Sequence, residues 1–337
     1  MPLRHILWIA AVALALLVIV AVCVGTYPVD AVAVWSAITD KLRGASPMSP
    51  EIDTVIFQIR GPRILAALLI GAALAASGAT FQGMFKNPLV SPDILGVSAG
   101  ASLGAIIAII FSLPVFAVQA FAFAGGLLAV AMIYAIGRAV RGHDPILSLI
   151  LSGVVVGTLL GSGLTLLKVL ADPYNQLPAI TFWLLGSLAS IEPAEVGWVA
   201  LLIGVSLAPL VLLRWRINLL ALSDDEAQAL GVDVNRLRAI VVVAATLMTA
   251  ATVALAGIIG WIGLIIPHAA RLLVGPAFAR LLPVSMLLGA GFLLAVDTLA
   301  RSVAAIEIPP GVLTALLGTP FFIWLLARSA RSAHGES

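Results

Sequence analysis

The chain has 337 residues, 62% of them hydrophobic and only 10% charged, with a mean hydropathy of +1.16. A soluble domain is about 45–50% apolar and about 25% charged, so a water-exposed exterior is excluded and most of the surface must face lipid. The formal charge of +2 is too small to point to nucleic acid. The single cysteine, Cys23, can form neither an intrachain disulfide nor a metal-ligand set. No polar stretch is long enough for a soluble domain, and residues 1–337 read as one membrane domain.

The first apolar run, Ile6 to Val24, follows Arg4 and lacks a small-x-small cleavage site, so it reads as a retained span rather than a cleaved signal. A helix needs about 20 residues to cross the hydrocarbon. Candidate spans fall at 5–25, 62–82, 94–111, 115–137, 146–169, 194–213, 236–257, 258–273, 281–300 and 309–328, ten in all. Segments 94–111 and 258–273 are the weakest, the second being short, glycine-rich and broken by Pro267; such irregular backbone belongs inside the bundle. Ten spans put both termini on one side, together with Arg4, Lys86, Arg138, Arg141, Arg214, Arg216, Arg236, Arg238, Arg271, Arg280, Arg328 and Arg331. The other side keeps Lys41, Arg43, Arg60, Arg63, Lys168 and Arg301. The excess of basic residues around the termini places both in the cytoplasm. An all-α, ten-span inner-membrane protein is expected.

Small residues punctuate two spans: Gly71, Ala75, Gly78 and Ala79 in the second, and Gly153, Gly157, Gly161 and Gly163 in the fifth. Close backbone approach through small side chains holds helices together in lipid. The stripe Gly153, Gly157 and Gly161 reads either as ordinary helix contact or as a pore-lining face.

Three connections are more than turns. Thr26–Gly61 has room for a short surface helix. Ala171–Pro193 contains the run Thr181 to Gly186, expected as a short re-entrant or interfacial helix because tryptophan favours the headgroup level. In Arg214–Arg238, Ser223 is a candidate N-cap, Glu226 completes a capping box, and Asp224 and Asp225 suit the positive end of the helix dipole. Gly231 is the expected terminator, and Ala227 and Leu230 lie three apart on one side. This capped segment is either a docking surface or a loop closure.

Catalytic constellations do not appear. The histidines are His5, His143, His268 and His334, and of these only His268 sits in a structured setting. Charges are missing from the middle of nearly every span, which counts against a secondary transporter or channel with its own ion relay. Asp297 is the exception. It lies four residues before Arg301, so the two share a helical face and can pair; a role for Arg301 at the outer mouth is the alternative. No G-x-x-x-x-G-K-[ST] phosphate loop is present, so the chain is not expected to hydrolyse ATP by itself.

Denser motifs follow. Asn87-Pro88-Leu89 precedes Ser91-Pro92-Asp93 and Gly96 to Gly100, prolines stiffening a tight turn before a glycine-permitted helix. Gly260 to Arg271 carries Pro267 and His268. Together with Arg60-Gly-Pro-Arg63, Gly71–Gly78 with Gln82, Leu219–Gly231, Gly289 to Asp297 with Arg301, and Glu307-Ile-Pro-Pro-Gly311 with Pro320, these stretches make the chain resemble the permease subunit of iron-siderophore, haem and vitamin B12 ABC importers, the type II, FecCD-like family.

The resemblance implies a homodimer of ten-span chains and two cytoplasmic ATPase subunits, which bind ATP and Mg. They would dock on 214–235 through Leu219, Leu220, Ser223, Asp224, Asp225, Glu226, Ala227, Leu230 and Gly231. It also implies a periplasmic or lipoprotein substrate-binding protein whose acidic residues meet Arg60, Arg63 and Arg301. Ser152, Gly153, Val156, Gly157 and Thr158 resemble the gate-lining helix. Asn87, Pro88, Pro92, Gly96, Pro267, His268, Arg271 and Asp297 are carried as motif positions. No cofactor or metal belongs to this chain. A ferric siderophore or haem is the expected cargo, with cobalamin or molybdate as alternatives. Gly61, Trp261, Asp224 and Pro310 depart from the family pattern, which weakens fine placement of the docking contacts.

Overall fold

The structure, a computed structural model, describes residues 2–25, 27–44, 49–139, 145–304 and 306–334. Arg141 and His143, and the side chains of Arg328, Arg331 and His334, lie outside the described residues. In chain order the helices are α1 (Leu3–Cys23), α2 (Ala31–Arg43), α3 (Pro50–Asp53), α4 (Gly61–Met84), α5 (Val97–Ile110), α6 (Val115–Ala139), α7 (Pro145–Leu170) and α8 (Gln176–Leu185). They continue with α9 (Pro193–Leu212), α10 (Arg214–Ile217), α11 (Asp224–Ala229), α12 (Val234–Ala256), α13 (Ile262–Val274), α14 (Phe278–Ala300) and α15 (Pro310–His334). A π-helical turn, Thr54–Arg60, joins α3 to α4 without a break, and 3-10 turns cover Pro92–Leu95 and Asn218–Ala221.

Among the described residues seven helices, not ten, are long and apolar enough to cross a membrane. Four shorter apolar helical stretches stand beside them: α5, α8, α13 and Pro310–Trp324. The physical reason is length. At 1.5 Å per residue, α5 and α13 reach only about 20 Å, against roughly 30 Å of hydrocarbon. The expectation that both termini share one side followed from an even count, and it loses that basis. The surface helix expected within Thr26–Gly61 is α2, and the short helix expected around Thr181 to Gly186 is α8.

Helices α4 and α12 form the centre: 78% and 72% of their apolar windows are buried, against 6% for α1 at the periphery. Side-chain size explains this. A methyl group at Gly71 would run into the backbone carbonyl of Gly289 on α14, and one at Gly289 into the carbonyl of Gly71. Gly78 meets the carbonyl of Gly263 on α13, and Gly100 and Gly125 do the same between α5 and α6. These contacts let backbones touch where lipid supplies no hydrophobic drive.

Contrary to the expectation from sequence, Pro267 does not break its helix; α13 runs through it. Proline has no N–H, so the carbonyl of Gly263 four residues earlier loses its helical donor. Gln82 of α4 replaces it. Its Nε2 donates to the carbonyls of Gly263 (3.4 Å) and Leu264 (3.1 Å), while its Oε1 accepts from Arg271 Nη2 at 3.0 Å. One buried amide thus repairs a proline defect and orients an arginine.

Candidate functional site

Functional candidates gather at the two ends of α4, about 36 Å apart by helix rise. At the N-terminal end stand Arg60, Arg63 and Arg301, which are 5%, 7% and 9% exposed. Arg63 lies one turn into α4 and Asp297 one turn from the end of α14. Arg63 Nε donates to Asp297 Oδ1 (2.9 Å) and Oδ2 (3.0 Å), and Nη2 donates to Oδ1 at 2.8 Å. The far side of the same guanidinium donates to Glu307 Oε2 at 3.1 Å and Oε1 at 2.5 Å. The local pair expected between Asp297 and Arg301 exists, but at 3.6 Å it is the secondary one.

Arg60 and Arg301 do different work. The last carbonyls of a helix have no intrahelical donors, and cations are favoured there. At the end of α1, Arg60 donates to the carbonyls of Val22 and Cys23 and, beyond the helix, to that of Tyr27, while Arg301 donates to those of Ala21 and Val24. Three cations thus face two carboxylates around a cavity of about 310 Å³ lined by Tyr27, Ile59, Arg60, Arg63, Arg301 and Glu307. Arg60 touches only neutral acceptors and carries the least compensated charge. Sequence reasoning gave Glu307 no place at this site; ten residues beyond Asp297, it has no helical spacing to flag it.

At the other end of α4, Lys86 adopts a left-handed backbone (φ 52°), and the N–H groups of Lys86 and Asn87 close the helix on Gly83 and Gln82 at 3.3 and 3.2 Å. Lys86 Nζ donates to the carbonyl of Leu222, just ahead of α11. Asn87 Oδ1 accepts from the Leu89 N–H at 2.9 Å, turning the chain toward Pro88, and Pro92 opens the 3-10 turn that Gly96 (φ 64°) ends. His268, on α13, is half-buried and its Nδ1 has no partner among the described residues.

The expected capping box is present. Ser223 Oγ accepts from the Glu226 N–H (3.3 Å), and Glu226 Oε2 accepts from the Ser223 N–H (3.0 Å). These bonds hold the Glu226 carboxyl below the usual carboxylate range. Gly231 (φ 81°) and Val232 close the C-terminal end on Gln228 and Ala227 at 2.8 and 3.1 Å, a Schellman motif. Asp224 accepts from Arg238 Nη2 at 3.1 Å, tying α11 to α12. Ala227 and Leu230 do not share a face: Ala227 is buried, whereas Leu230, where the helix has ended, is exposed. Leu220 is buried and Leu219 half-buried, which leaves Ser223, Asp225, Glu226, Leu230 and Gly231 on the surface.

On α7, Ser152, Gly153 and Val156 pack inward, Gly153 against the carbonyl of Ile94, while Gly157 and Gly161 face open space. The glycine stripe is therefore not a continuous packing seam. The exposed face carries Thr158 and two hydroxyls that sequence reasoning missed, Ser162 and Thr165. Each bonds back to the carbonyl four residues earlier, at 2.8–2.9 Å. Their spacing of four and three was the available signal. Among the described residues no group of three histidine, cysteine or acidic side chains could hold a metal.

This fold defines the membrane-spanning permease of an ABC importer. It superposes with a TM-score of 0.85 on a solved structure described as a metal-chelate type ABC transporter in an inward-facing conformation. That structure is 36% identical, and the match covers 97% of this chain and 99% of that one. The chain belongs to the FecCD transport family, whose model matches residues 13–328. It is 43% identical to the cobalamin import system permease protein BtuC of Halobacterium salinarum, over 87% of this chain and 79% of that protein. It is 41% identical to the molybdate import system permease protein MolB of Haemophilus influenzae, over 87% and 86%. The chain is thus a non-catalytic, multi-pass inner-membrane subunit of an import system.

Proposed function

We propose that two copies of this chain form a translocation path for a metal chelate, a ferric siderophore or haem. A substrate-binding protein would deliver the cargo at the Arg60, Arg63 and Arg301 end, and two ATPase subunits docked on residues 214–235 would drive the cycle. The observation that carries this reading is the position of a net-positive pocket and a capped, acid-faced helix at opposite ends of α4. Arg60 offers an approaching carboxylate the least compensated cation, and charged rims steer encounter and register. Asp225, Glu226 and Leu230 offer the ATPase an acidic and apolar surface. The hydroxyl stripe Thr158, Ser162 and Thr165, on an exposed face of a lipid-length helix, supports α7 as the wall of the path, with Ser152, Gly153, Val156 and Gly157 setting its packing. The similarity to a metal-chelate type transporter supports chelate cargo over the molybdate named for one relative; cobalamin, itself a cobalt chelate, is the second reading.

The test is reconstitution with the cognate partners in vesicles. Arg60→Gln should weaken capture of the binding protein and flatten its salt dependence. Asp225→Lys with Glu226→Lys should abolish co-purification of the ATPase. Uptake that continues with the ATPase inactivated would overturn the reading in favour of a secondary transporter.

A further inference from the structure

At the end of the bundle that carries Lys86 and α11, a cavity of about 460 Å³ opens between α6, α7 and the start of α12. Arg138, Arg236 and Arg238 line it, with Asp233 the one acid among the described lining residues. Arg238 is 5% exposed and spends only Nη2 on Asp224; among the described residues its Nε and Nη1 have no partner. Ser148, 4% exposed and also lining the cavity, has an unpartnered hydroxyl. Buried donors left without acceptors are costly, and here they belong to residues of two different helices that line one cavity. With the rim arginines they make a donor set suited to an anion.

The neighbouring surface narrows the choice of anion. Ala239, in the cavity wall, also lines a groove between α9 and α12 whose other walls are Val205, Pro209, Ile240, Val243 and Leu247. That groove is almost wholly apolar and runs along two lipid-length helices. A basic pocket at a helix end continuous with an apolar groove fits a molecule with an anionic head and a hydrocarbon tail.

We propose that this cavity binds the phosphate headgroup of an anionic phospholipid, with an acyl chain in the α9–α12 groove. Free phosphate would satisfy the donors but leave the groove unexplained. An acidic side chain of a docked protein would do the same.

The test is native mass spectrometry of the full-length protein in detergent, titrated with phosphatidylglycerol or phosphatidylcholine. The unmodified protein should retain phosphatidylglycerol preferentially, and excess inorganic phosphate should not displace it. Arg138→Gln with Arg236→Gln, both at the exposed rim, should weaken phosphatidylglycerol about thirtyfold and leave phosphatidylcholine unchanged. Ser148→Ala should weaken it less, and it guards against misfolding of the double variant. Equal retention of the two lipids, or selectivity that survives in the double variant, would overturn the proposal. Displacement by phosphate would assign the cavity to a free anion, and displacement by the ATPase subunit would assign it to a protein carboxylate; either result also overturns it.

Discussion

Arg63 and Asp297, 234 positions apart in the chain, form a two-pronged ion pair between α4 and α14, with Asp297 wholly buried. Removing the Asp297 charge leaves Arg63 with Glu307 alone and takes from the buried Arg301 its carboxylate. Asp297→Asn should therefore cost about 3–5 kcal/mol of stability, read as a lower unfolding midpoint in detergent. Replacing both, as Arg63→Met with Asp297→Leu, should recover only part of that loss, because Arg301 and Glu307 lose their partners as well. Equal loss in single and double variants would mean that the pair holds more than charge in place.

Glycines at helix contacts and glycines on open helix faces should respond differently to alanine. Gly71→Ala and Gly289→Ala place a methyl against backbone that cannot move aside, and each should destabilise by about 1–3 kcal/mol. Gly157→Ala and Gly161→Ala meet nothing within 4 Å among the described residues and should leave the isolated subunit unchanged. Thermal melts of the four variants, purified in parallel, compare them directly.

Gln82→Leu should cost about 1–3 kcal/mol, because the carbonyl of Gly263 and the guanidinium of Arg271 lose their buried partner together. Restoring an N–H in the same background by Pro267→Ala gives Gly263 its helical donor back. The double variant should then be more stable than Gln82→Leu alone.

The capping box makes α11 sensitive to acid. Hydrogen bonds from Ser223 lower the pKa of Glu226 in the folded chain. Its contribution is therefore complete above the ordinary carboxylate value of about 4.3 and is lost as pH falls through the lowered folded value. Hydrogen exchange of residues 224–230 should accelerate across that window beyond the intrinsic pH effect. In Ser223→Ala the step should vanish.

Legibility in the sequence followed the range of the interactions. The edges of α1, α9, α12 and α14 fell within a few residues of the apolar runs 5–25, 194–213, 236–257 and 281–300, because hydropathy is a local property. The capping box and Gly231 were legible for the same reason. Span length at 94–111 and 258–273 was not: apolar composition continues past Ile110 and before Ile262, while the hydrogen-bonded helix does not. Among the charges, the four-residue spacing of Asp297 and Arg301 pointed to a local pair. Arg63 takes the carboxylate instead, since its planar fork meets both oxygens from a helix far away in sequence. The unpartnered donors of Ser148 and Arg238 left no trace in any motif, for their meaning lies in what does not surround them.

The grip of Arg60 and Arg301 on the end of α1 also has a consequence for biosynthesis. The first span enters the bilayer early, but Arg301, whose guanidinium bonds the carbonyl of Ala21, is made 280 residues later. At about 5–20 residues per second of synthesis, α1 waits on the order of tens of seconds with the carbonyls at its end only partly satisfied. During that interval the helix is held by little else, being the least buried of the long spans. Closure of this latch is thus a late event in assembly, and a chain that stops short of Arg301 leaves the ribosome with its first helix unfastened.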